Sequence, residues 1–95
     1  MINLKINNDL INDFNENGFI ILNKFIDLQY IDKLRDKFEP LFKGIFETGI
    51  EPDEWNWKFN EGKPDVTRQI CNAWKSDRLI RKFICHKIVG RCCAQ

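Results

Sequence analysis

Apolar positions recur at helical steps in three parts of the chain, and each part carries its own boundary residues. Near the start, Leu10, Ile11 and Phe14 share a face behind Asn7 and Asn8, either of which can cap a short helix, with Asp9 favourable in its first turn. Gly18 predicts the stop, because glycine takes the left-handed conformation that ends a helix without a Cβ penalty. The pattern then changes: Phe19, Ile20, Ile21 and Leu22 are consecutive apolar residues rich in β formers, which predicts a short buried strand. Asp27 is a good N-cap for a second helix of about 18 residues. Leu28, Ile31, Leu34, Phe38, Leu41, Phe42 and Ile45 fall on one of its sides, and Asp32, Lys33, Asp36, Lys37, Glu39 and Lys43 on the other. Pro40 removes one backbone donor and crowds the Asp36 carbonyl, which predicts a kink or a break into two shorter helices. A third helix is expected from a cap at Ser76 or Asp77 to about Val89, with Leu79, Ile80, Phe83, Ile84 and Ile88 as its apolar face. Arg78, Arg81 and Lys82 lie opposite, with Cys85 among them.

Between the second and third helices, Gly44 to Asp77 shows no sustained helical or strand period. It holds all three tryptophans and two of the three prolines. A connection this long is usually a functional loop or a disordered linker. Trp55, Trp57, Phe59, Ile70 and Trp74 offer large apolar areas, each worth burying at roughly 25 cal/mol per Å2, so an ordered loop that walls something is expected.

A chain of 95 residues is one domain or part of one, and its core is expected to be modest. The formal net charge of +1 conceals a division. Residues 1–54 carry six Lys/Arg against eleven Asp/Glu, a net −5, while residues 55–95 carry nine against three, a net +6. Such halves can attract each other within one fold, or the second can face a polyanion. The N-terminus has no long apolar core after a basic start, and no apolar run approaches the roughly 20 residues that span a bilayer. A cytoplasmic protein without a membrane partner is expected, with Cys71, Cys85, Cys92 and Cys93 as free thiols.

Motifs that carry chemistry are scarce. The cysteines and His86 show neither C-x2-C nor H-x3-5-H spacing, which argues against zinc. Arg78, Arg81 and Lys82 could activate Cys85, although an ordinary helix cysteine is the simpler reading. His86 has no carboxylate three or four residues away, so a surface or half-buried histidine is expected. Glu51, Asp53 and Glu54 cluster in the loop without a liganding period, as in a solvated loop. There is no glycine-rich phosphate loop and no nucleophile elbow.

The order Phe14-x3-Gly18-Phe19-Ile20-Ile21-Leu22, then Phe25-Ile26 and an amphipathic helix, resembles the N-terminal entry of the phytanoyl-CoA dioxygenase family. The stretches Gly44–Trp55 and Arg68–Asp77 are similar to one subgroup of it. The resemblance covers nearly all of residues 1–95 but only the beginning of such a protein. It implies an α+β fragment of about three helices, one short strand and a long central loop, leading into a double-stranded β-helix (jelly-roll) that is absent. In the family, iron(II) and 2-oxoglutarate bind in that barrel through a His-x-Asp pair, a later His and a basic residue. Here His86 is followed by Lys87 and Ile88, so neither the metal ligands nor the cofactors are expected in this chain. A truncated or split oxygenase, inactive alone, follows. Arg68, Gln69, Asn72 and Trp74 are the residues expected on the rim of a small-molecule substrate pocket, although the same four could instead cap and pack the third helix.

Two other classes remain open. A binding module could use the basic third helix, with Trp55, Trp57 and Trp74 stacking on single-stranded nucleic acid, although the acidic first half would repel that ligand. An interaction fragment would be completed by a barrel-carrying segment or chain, and would expose an unusually large apolar patch.

Overall fold

The computed structural model describes residues 2–95 and contains five α-helices and one 3-10 turn. The first helix, α1 (Asn8–Asn17), forms where its caps dictate. The Asn7 side chain accepts from the Leu10 N–H at 2.9 Å, and Gly18 closes the helix at φ +79° with its N–H donating to the Phe14 carbonyl. Helix α2 (Leu28–Arg35) begins at Asp27, whose carboxylate accepts from the Tyr30 N–H at 2.8 Å.

The second amphipathic run is broken in two. After α2 the chain tightens through Asp36 and Lys37, where the Lys37 N–H turns back to the Leu34 carbonyl at 3.1 Å, and α3 (Phe38–Phe42) follows. The cause is Pro40. It has no N–H for the Asp36 carbonyl, and after the break it sits in the first turn of α3, where a missing donor costs nothing. Near the C-terminus the 3-10 turn Ala73–Lys75 packs directly against α4 (Arg78–Ile84), which Asp77 caps by accepting from the Leu79 and Ile80 N–H groups at 2.8 and 3.0 Å.

The expected helix from Ser76 or Asp77 to Val89 does not run through. It stops at Cys85, and His86 starts α5 (Lys87–Ala94), its Nδ1 accepting from the Ile88 N–H at 3.2 Å. Gly90 lies inside α5.

The α+β expectation is overturned. Among the described residues there is no strand and no sheet, only two isolated antiparallel bridges, Ile2 with Ile26 and Asp53 with Cys71. Along Phe19–Leu22 burial alternates as it would in a strand: Phe19 and Ile21 are 61% and 72% exposed, while Ile20 and Leu22 turn inward. A strand, however, needs a partner for its backbone, and the N-terminal segment spends its bridge on Ile26 and its Asn3 N–H on the Phe25 carbonyl at 2.6 Å. The fold is therefore helical, with long irregular connections.

Burial is sparse. Ile2, Leu41, Trp57 and Ile80 are the buried apolar side chains among the described residues, joined by Pro52, Ser76 and Asp77. The body measures 48 × 25 × 23 Å with a radius of gyration of 16.2 Å, against about 13 Å for a compact domain of similar length. All four thiols are free, and no helix of the described residues is long and apolar enough to cross a membrane.

Candidate functional site

The central loop is ordered by ties between its two ends. The Cys71 N–H donates to the Asp53 carbonyl at 2.9 Å and the Asn56 N–H to the Gln69 carbonyl at 3.1 Å, which lays residues 53–56 beside residues 69–71. Beneath them, the fully buried Ser76 hydroxyl donates to the Ile50 carbonyl at 2.6 Å, and the Thr48 hydroxyl donates to the Lys75 carbonyl at 2.5 Å. Both hydroxyls thereby tie one end of the loop to the other.

Asp53 stands at the centre. Its Oδ2 accepts from Asn72 Nδ2 at 2.7 Å and from the Lys75 ammonium at 2.8 Å. Asn72 adopts φ +58°, a left-handed conformation that asparagine tolerates better than most residues, and its Oδ1 accepts from the Trp74 indole N–H at 3.1 Å. The bond from Lys75, then that from Asn72, holds the Asp53 carboxyl below its ordinary range. On the same strip the Cys71 thiol donates to the Glu54 carboxylate at 3.2 Å and receives a weak contact from Gln69 Nε2 at 3.5 Å. Glu54 is the main cause pushing the Cys71 pKa up. A stabilised carboxylate and a thiol kept protonated are anchors, the reverse of a general acid and an activated nucleophile.

A second group is aromatic. Buried Trp57 meets Phe42 edge-on at 5.6 Å between ring centres, and its Nε1–H donates to the Lys63 carbonyl at 2.9 Å. The Arg68 guanidinium lies 4.0 Å from the Trp57 ring centre and 5.9 Å from that of Phe42. Trp55 is packed edge-on against Phe46 at 5.3 Å with the Lys58 ammonium over its ring. Glu47 takes a bond from Arg78 at 2.9 Å, which lowers its pKa and pins the loop to α4.

Of the four residues expected on a pocket rim, the structure joins Asn72 and Trp74 directly. Gln69 sits on the neighbouring backbone pair, and Arg68 is placed on Trp57 instead. Arg68, Gln69 and Asn72 are exposed and Trp74 is half-buried. Lys75, which with Asp53 organises the set, carries no signal of its own in the sequence, and Trp57, expected to be worth burying in an ordered loop, is indeed buried but beneath the Arg68 guanidinium. Asp53 was assigned with Glu51 and Glu54 to a solvated loop, whereas both Asp53 and Glu54 are engaged across it.

The donors for iron do not fit. His86, the sole histidine, is half-buried and gives its Nδ1 to the α5 cap, and among the described residues no group of three His, Cys, Asp or Glu side chains could hold a metal ion. No protein-family model matches the chain, and no match is found among curated proteins or solved structures.

Proposed function

We propose that this chain is the helical lead-in of a cytoplasmic oxygenase of the phytanoyl-CoA dioxygenase type, inactive alone. A barrel carried by another segment or chain would hold iron(II) and 2-oxoglutarate. The observation that carries the reading is the shortage of core. Phe19, Ile21, Leu28 (76% exposed) and Ile45 (62% exposed) are left in water on an elongated body with few buried apolar side chains, as expected for a part that packs on something larger. The Asp53 network supports the rim assignment, since it holds Asn72 and Trp74 in a fixed, partly exposed arrangement.

The test is a comparison of the chain alone with a fusion carrying a family-type barrel after Gln95. Alone, the chain is expected to bind a hydrophobic dye or self-associate and to bind no iron(II). The fusion should melt at a higher temperature, lose the dye signal and turn over. In it, Arg68→Ala or Trp74→Ala should alter substrate affinity more than iron affinity. A monodisperse, cooperatively melting monomer with no dye binding would refute the reading.

A further inference from the structure

A cavity of about 560 Å3 opens between α1, the segment 20–25 and α5, and it shares no residue with the central loop. Leu10, Ile11, Ile20, Leu22, Phe25 and Val89 are among its walls, and its volume lies in the range of about 300–1,000 Å3 usual for small-molecule sites. A second recess of about 410 Å3 adjoins the cavity, the two having Leu4, Ile6, Cys92 and Gln95 in common. That recess adds two cations, Lys5 and Arg91. Both are exposed, and neither forms an ion pair among the described residues.

We infer that this cavity binds a free single-chain fatty acid, the aliphatic tail among the α1 and α5 side chains and the carboxylate between Lys5 and Arg91. A greasy chamber bounded on several sides suits a slender tail better than a flat protein face, and unpaired cations beside it select an anionic head over a neutral one. The site would cover Phe14, which lines the cavity yet is left half exposed. The inference goes beyond the oxygenase reading and does not depend on it.

Titration calorimetry of the whole chain with dodecanoate below its micellar concentration tests it. One molecule should bind per chain, and each added methylene should tighten Kd by about fourfold until the cavity is full. Lys5→Glu combined with Arg91→Glu should weaken dodecanoate about tenfold and leave dodecanol unchanged. Ile11→Trp should weaken both by filling the tail site. If circular dichroism shows that this last variant unfolds, the charge-reversed pair decides. Several molecules per chain, or equal loss of dodecanoate and dodecanol on charge reversal, would overturn the proposal. So would binding to anionic phospholipid vesicles with none to monomeric dodecanoate. Failure here leaves the barrel fusion, with its separate readout of turnover, untouched.

Discussion

Gly62 is the position where a single methyl group should do the most damage. A Cβ built there would come within 2.6 Å of Trp57 Cε2 and closer still to Nε1 and Cδ1. To restore an ordinary contact near 3.5 Å the indole would have to retreat by about 1 Å or more. It has nowhere to go, with Phe42 edge-on at 5.6 Å, Phe59 at 6.5 Å and the Arg68 guanidinium at 4.0 Å. The same movement strains the 2.9 Å bond from Trp57 Nε1 to the Lys63 carbonyl. Overpacking costs roughly 1–3 kcal/mol, and a buried N–H left without its acceptor roughly 1–3 kcal/mol more. Gly62→Ala should therefore cost about 2–5 kcal/mol, enough to unfold much of a chain whose stability is marginal. Urea denaturation followed by far-ultraviolet circular dichroism and tryptophan emission measures it. An unchanged midpoint and emission in Gly62→Ala would show that the indole does not lie against residue 62.

Further outcomes can be checked by the same means. Gly18→Val should cost more than 1 kcal/mol purely through backbone strain, because φ is +79° and no atom lies within 4 Å of the added Cβ; Gly18→Asn should cost clearly less, and equal losses would remove the left-handed cap. The folded-state pKa of Asp53 lies below its ordinary 3.8, so its contribution to stability is present above pH 3.8 and is lost as pH falls through the depressed value. Urea midpoints taken from about pH 6 to about pH 2 should fall less steeply for Asp53→Asn than for the unaltered chain, and added salt should shrink the difference; parallel curves would count against the Lys75 and Asn72 bonds.

The parts of the fold that could be read from the sequence are those decided within a few residues. Asn7, Asp27 and Asp77 take up the capping roles their side chains suit and Gly18 the one its free backbone suits, and Pro40 splits its helix because the missing donor is a local fact. The strand at Phe19–Leu22 failed for the opposite reason. Its composition suits a sheet, but whether a strand exists is settled by what lies alongside, and the neighbouring segment pairs with Ile26. The interruption at Cys85 and His86 carries no proline or glycine to announce it, and only the Nδ1 cap shows histidine starting a helix. In the candidate site the composition of Arg68–Trp74 was visible. The Asp53 tie was not, since it joins residues 19 and 22 positions apart through a loop of no regular period.

The contact of Cys92 Sγ with the Leu4 carbonyl, at 3.9 Å, spans 88 positions of sequence. It brings the two ends of the described chain to one place, so the order in which the helices are strung is separable from the way they are arranged. A short linker could join the ends, with new termini opened in the exposed turn around Asn60, and the same neighbours would still meet. By the same token, anything attached after Gln95 emerges beside the N-terminal segment, against the side of the body where that segment and α5 lie together.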